Sequence, residues 1–199
     1  MLRFIGGPSR CGKSTVAHQV QAICGGQALS QDNLRQAFMS LADAKIKEGL
    51  SVTPKINAHS SAEWLDIVRA RDRLLWRGTR AYIEAALANS EHDVLIEGDL
   101  WSDYIAELSA EYQAVFLVDT GLSHVDRVLA IAHSHETGHN WMSDWTDEQL
   151  KTWALYNIER SKLTKQLANQ YGHRAFDIAD HGLSEAQARA VEYLAPPDL

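Results

Sequence analysis

Short apolar runs alternate along this chain with longer stretches of helical periodicity. Five runs, Leu2–Ile5, Ala28–Leu29, Val94–Ile96, Ala114–Val118 and Ala175–Ile178, are bounded by Gly, Asp or Asn. Most are β-branched or aromatic and lack clean alternation, as strands of a parallel sheet covered on both faces do. The stretches between them carry helix punctuation. A first helix is expected from Lys13 to Gly25-Gly26, which suit the left-handed position after a helix end. A second should run from about Asn33 to Lys47, and Gly49–Ser60 reads as the one long loop. Ser60-Ser61-Ala62-Glu63 is a capping box that opens a third helix reaching about Asn89. Ser123-His124-Val125-Asp126 opens a fourth, and Thr146-Asp147-Glu148-Gln149 a fifth that ends at Gly172. Ser184-Glu185-Ala186-Gln187 opens the last, which Pro196-Pro197 stops. Strands alternating with helices predict an open α/β sheet.

Composition narrows this picture. The 199 residues suit one ordinary domain, or one carrying a small lid, and are too few for two full-sized domains. A hydrophobic share of 45% and a charged share of 23% are ordinary for a globular protein and exclude disorder. Lys plus Arg number 19 against 26 Asp plus Glu, a net charge of −7 that argues against a broad nucleic-acid-binding face. Two cysteines, Cys11 and Cys24, make neither a disulfide framework nor a metal knuckle. No apolar run reaches the ~18 residues a membrane span needs, and the apolar part of the N-terminus is too short for a signal peptide. The expectation is a reduced, cytoplasmic protein with no membrane or nucleic-acid partner.

One motif carries specific chemistry. Gly7-Pro8-Ser9-Arg10-Cys11-Gly12-Lys13-Ser14-Thr15 matches G-x-x-x-x-G-K-[ST] in full, after a predicted strand and before a predicted helix. Glycines at 7 and 12 permit torsions that side chains forbid, so successive N–H groups turn inward and cradle a phosphate at a helix N-terminus. Lys13 then reaches the β- and γ-phosphates, and the Ser14 hydroxyl is placed to bind Mg²⁺.

Around this loop the chain resembles the P-loop small-molecule kinases, the group of adenylate-kinase-like and adenylylsulfate-kinase-like enzymes. Ser30-Gln31-Asp32-Asn33-Leu34-Arg35 resembles the Asp-Asn-x-Arg segment of adenylylsulfate kinases. Val94-Leu95-Ile96-Glu97-Gly98-Asp99 and Val115-Phe116-Leu117-Val118-Asp119-Thr120 are similar to two further strands of that group. The resemblance spans nearly the whole chain in element order. It implies a three-layer P-loop NTPase fold with a five-stranded parallel sheet in the order 2-3-1-4-5 and helices on both faces. A substrate-side helical segment at about 33–90 and a lid at about 124–160 go with it. It implies transfer of the γ-phosphoryl group of ATP, with Mg²⁺, to a small-molecule acceptor. The guanine-reading Asn-Lys-x-Asp segment is absent, which points to ATP rather than GTP.

Other residues join this reading, each with a plainer role beside it. Asp32 follows the second strand, where a carboxylate can take the proton of an attacking hydroxyl; Asp is also a favoured N-cap. Arg35, one turn on, could clamp an anionic substrate group or simply be solvated. Glu97 and Asp99 end a central strand, where one carboxylate would hold Mg²⁺ directly or through water. Glu97 is closer to the strand end; Asp99 could instead cap a helix from Leu100, and Asp119 reads as a turn residue. Arg69, Arg73, Arg77 and Arg80 share a helix face, with Arg71 off the line; the plainer reading is a solvated face balanced by Glu63, Asp66, Asp72 and Glu84. Arg127 and Arg160, the latter beside Lys162, are the cations of the expected lid. Trp141, Trp145 and Trp153 suit packing or stacking, and Asp180-His181-Gly182 occupies the adenine-side loop of the resembled group. His135-Glu136-Thr137-Gly138-His139 spells the zinc-protease pattern, though Gly138 interrupts a helix there. A nucleotide-dependent switch protein and, more remotely, a zinc hydrolase therefore stand as rival functions.

Overall fold

The computed structural model describes residues 1–50, 59–89, 93–134, 142 and 144–195. The chain runs β1 (Leu2–Gly6), α1 (Lys13–Cys24), β2 (Gln27–Ser30), α2 (Gln31–Leu41), α3 (Ala44–Leu50), α4 (Ser61–Asn89) and β3 (Val94–Glu97). It continues through α5 (Ser102–Ile105), β4 (Tyr112–Val118), α6 (Ser123–His133), α7 (Asp147–Gln170), β5 (Arg174–Asp177), α8 (Ile178–His181) and α9 (Leu183–Leu194). The strands form one parallel sheet in the order β2-β3-β1-β4-β5, with helices on both sides.

The two-residue period of a strand sends alternate side chains into two cores. Leu2, Phe4, Val94, Ile96, Ala114 and Phe116 meet Trp64, Val68, Trp76 and Ile83 of α4 and Leu150, Trp153 and Ala154 of α7. Ile5, Leu95, Val115 and Leu117 meet Val16, Ala17 and Val20 of α1 and Ala186, Ala190 and Leu194 of α9. This two-sided burial is why the strands read as continuous apolar runs.

Several expected boundaries move. The single helix over 33–47 is two helices. Ala42 is extended, and Asp43 starts α3 anew by accepting the Ile46 N–H at 2.9 Å. The box at Ser60 forms as expected: the Glu63 carboxylate accepts the Ser60 N–H at 2.8 Å and the Ser60 hydroxyl accepts the Glu63 N–H at 3.3 Å. The Thr146–Gln149 box forms as well. The expected boxes at Ser123 and Ser184 do not form. Leu122 already has helical torsions, so α6 grows out of a tight turn, and α9 begins at Leu183 after Gly182. The pattern at His135–His139, together with Trp141, Pro196 and Pro197, lies outside the described residues, as does most of the expected loop at 49–60, whose first two residues end α3.

Candidate active site

The register aligns the strand ends that build the site. Glu97 pairs with Ile5 on one side and with Ser30 on the other, so β1, β2 and β3 stop at one level. The loops leaving them surround a cavity of about 440 Å³. Open parallel sheets place ligands there, outside the carboxyl ends of the strands.

The glycine loop forms the floor. Gly7 has φ 131°, and a Cβ on it would sit 2.0 Å from the Leu117 carbonyl oxygen, so only glycine fits between the loop and β4. Gly12 has φ 82° and precedes α1 with no side-chain cap, leaving the first helical N–H groups free to meet an anion. Ser9, Arg10, Gly12, Lys13, Ser14 and Thr15 line the cavity. Gly7, Pro8 and Cys11 are buried beneath it, and Pro8 and Cys11 act from there. The Pro8 carbonyl accepts the Lys13 ammonium at 2.8 Å. Burial pushes the Cys11 thiol up to about 12.

Acidic groups stand beside this floor. The Ser14 hydroxyl donates to Glu97 Oε2 at 3.4 Å, so a hydroxyl and a carboxylate sit side by side. This is an oxygen donor set of the kind a hard divalent cation takes. Asp99 lies 3.8 Å from Lys13 Nζ and also lines the cavity. It caps no helix; α5 starts at Ser102 after Trp101. Asp32 lines the cavity from the first turn of α2 and is 80% exposed, with Arg35 Nε 3.7 Å away. The N-cap of α2 is Ser30, so Asp32 is free of the capping role that its residue type suggested. Arg35 lies outside the cavity lining.

Behind Asp99 lies a buried charge network that sequence reasoning missed. Arg71 bonds Asp72 and, at 2.9 Å, Asp99. Arg160 reaches Asp99 at 3.1 Å and Asp72 at 3.3 Å, and the Trp101 indole donates to Asp72 at 2.8 Å. Burial opposes the charge on Asp99, but Arg160, Lys13 and Arg71 outweigh it and hold the carboxyl well below the usual range. Asp72 goes the other way, because burial dominates and raises it. Arg160 thus touches the site through Asp99, from a stretch of α7 packed on the sheet. Arg71 is the arginine that stood off the helical stripe. On the stripe itself, Arg69 pairs with Asp103, Arg73 with Glu107 and Arg80 with Glu84, largely with partners other than those the sequence suggested. One signal was available: Asp72 interrupts the stripe Trp64, Val68, Leu75, Trp76, Ile83, and a carboxylate at a core position of a helix needs cations around it.

The cavity is completed from β4 onward. Arg127 of α6 lines it and is bonded to Asp119, which is a fully buried ion-pairing group and more than a turn residue. Leu183 and Gln187 of α9 close the side near the loop, with Gln187 Nε2 3.5 Å from the Gly12 carbonyl. The Asp180-His181-Gly182 stretch is mostly the one-turn helix α8. Among the described residues no His, Cys, Asp and Glu group of three or more could hold a metal ion, and no helix is long and apolar enough to cross a membrane.

No family model matches the chain, and no curated protein matches it. Solved structures do. A sugar kinase from Janibacter sp. HTCC2649 aligns over 99% of this chain and 96% of its own, with a TM-score of 0.56 and 14% identity. A provisionally named kinase from Chloroflexus aurantiacus J-10-fl covers 95% and 94%, with a TM-score of 0.52 and 15% identity. TT1252 from Thermus thermophilus covers 96% and 94%, with a TM-score of 0.51 and 16% identity. At these identities the likeness is one of fold alone.

Proposed function

We propose that this chain is an ATP-dependent phosphotransferase that passes the γ-phosphoryl group to a hydroxyl of a small molecule. One observation carries the reading: the glycine loop, Lys13, Ser14, Arg127 and the carboxylates Asp32, Glu97 and Asp99 all line one cavity. The names of two structural neighbours, a sugar kinase and a provisional kinase, agree with it.

In this reading the loop N–H groups and the α1 N-terminus hold the phosphate chain. Lys13 leaves the Pro8 carbonyl for the phosphates and balances the charge that builds during transfer. Ser14 and Glu97 would hold Mg²⁺, Glu97 directly or through water; the ion, when bound, neutralises phosphate charge. Asp32, at the open side, orients the acceptor hydroxyl and takes its proton as the new O–P bond forms and the bond from the γ-phosphorus to the β–γ bridging oxygen breaks, releasing ADP. Arg127 supplies a second cation to the phosphates. Arg160 acts at one remove, by keeping Asp99 ionised beside Lys13.

The test is a screen for phosphoryl transfer from ATP across a metabolite library, with Lys13→Ala as the control. The reading predicts a phosphorylated product with at least one hydroxyl compound and none with the variant. ATP hydrolysis gated by a protein partner, with no phosphorylated small molecule, would favour a switch protein instead.

A further inference from the structure

We propose that Asp119 is a positioning residue that holds Arg127 at the cavity, so that the two act as one unit on a bound phosphate chain. The inference rests on the ATP-dependent reading above. Asp119 directly follows β4 and is fully buried. Its Oδ1 accepts the Gly121 N–H at 3.1 Å, and its own N–H donates to Ser161 Oγ at 3.0 Å. Its Oδ2 accepts from an Arg127 terminal nitrogen and lies 3.2 Å from His124 Nδ1. Burial opposes its charge, but the bond with His124 and the nearby Arg127 hold the carboxyl below the usual range.

A carboxylate withdrawn from water is costly unless paired, and here the pairing falls on a residue that lines the cavity. The Arg127 guanidinium is gripped on one side only. One terminal nitrogen serves Asp119 and lies 2.7 Å from His124 Nδ1, while Nε is buried with no partner among the described residues. His124 Nδ1 lies within hydrogen-bond reach of both Asp119 Oδ2 and that Arg127 nitrogen, so the three side chains form one buried cluster. The anchor also shares its platform with the loop. β4 is hydrogen-bonded to β1, and the Leu117 carbonyl that packs on Gly7 is two residues before Asp119. A cation fixed from that strand is fixed relative to the phosphates, the kind of support a transfer site needs.

The experiment is a double-mutant cycle with Asp119→Asn and Arg127→Met, reading Mg·ATP affinity by calorimetry and the rate of ATP hydrolysis by the chain alone. Arg127→Met should slow hydrolysis by ~10²-fold, as loss of one placed donor does. Asp119→Asn keeps the acceptor for Gly121. It should slow hydrolysis by ~10-fold or more, the cost of losing a supporting group, while ATP binds as tightly as before or more tightly, because a negative charge has gone. The double variant should be no slower than Arg127→Met. A wild-type rate in Asp119→Asn, parallel loss of affinity and rate with a lower melting temperature, or additive effects would each overturn the inference while leaving the kinase reading intact. A wild-type chain that binds no ATP overturns both. If Asp119→Asn does not fold, Arg127→Lys decides. It keeps the charge without the guanidinium fork, and a wild-type rate in it sinks the proposal.

Discussion

Single side chains carry the sharpest expectations. Lys13 is nine-tenths buried, held by the Pro8 carbonyl rather than facing open solvent. Lys13→Ala should therefore cost about 1 kcal/mol of stability, the net worth of one hydrogen bond, and still remove phosphoryl transfer by at least ~10²-fold. Turnover near wild type in a folded Lys13→Ala protein would refute its role. Asp32 offers a cleaner separation, because it is exposed and caps nothing. Asp32→Asn should cut transfer by ~10²–10⁴-fold with an unchanged melting temperature and unchanged ATP affinity by calorimetry. Cys11 makes a third case. Its thiol is pushed up to about 12 by burial in the core beneath the loop. Iodoacetamide at pH 8 should modify Cys24 first and leave Cys11 untouched in the folded chain, which peptide mass spectrometry will show.

At the scale of elements, caps decide where helices begin. Thr146 and Gln149 exchange bonds of 3.3 and 2.9 Å at the start of α7, the helix that carries Arg160 into the network. Thr146→Ala should cost ~1 kcal/mol and lower the melting temperature by about 2–4 °C for a chain of this size. A calorimetric melt with no shift would show that the first turn of α7 is held by packing instead. The contrast with α6 is instructive. Its Ser123-x-x-Asp126 has the letters of a box, but Leu122 enters already helical, and the buried Asp119 takes the Gly121 N–H just upstream. The turn at Asp119–Gly121 leads into α6, which has no side-chain cap.

For the whole molecule, acid stability separates two sets of groups. His173 lies between Ser102, Tyr112 and the stacked ring of Phe116, and burial lowers its pKa. The folded state therefore favours the neutral ring. The stability this brings is complete above about pH 6.5, the ordinary histidine value, and is lost as pH falls through the lowered folded value. Asp93 and Asp177 are different. Burial opposes their charge, but Arg3 and the N-terminal amine on one, and Lys165 and Thr120 on the other, hold both carboxyls low. Their contribution persists until below about pH 4. Denaturant titrations should thus show a first loss of stability as pH falls below about 6.5 that His173→Gln abolishes, and a second, unaffected loss in stronger acid. A His173→Gln protein with the same slope near pH 6 would contradict this assignment.

Much of the scaffold is local in origin. Five apolar runs, the glycine loop and the two boxes at Ser60 and Thr146 depend on near neighbours, so the sequence by itself determined the strands, the start of α1 and the long helices α4 and α7. The sheet order came from the resemblance and is the order observed. The start of α6 after Leu122 and the break at Ala42 were not legible, although the carboxylates beside them, Asp119 and Asp43, act on near neighbours. The same division runs through the site. The loop residues and the carboxylates at strand ends stood in the sequence, because strand–loop–helix geometry places them. The network of Arg71, Asp72, Asp99, Trp101 and Arg160 joins residues up to 88 positions apart, and Asp119 meets Ser161 across 42. No spacing rule brings these together. Only the packing of α4 and α7 against one face of the sheet does so, since ions buried there must find opposite charges wherever the fold supplies them.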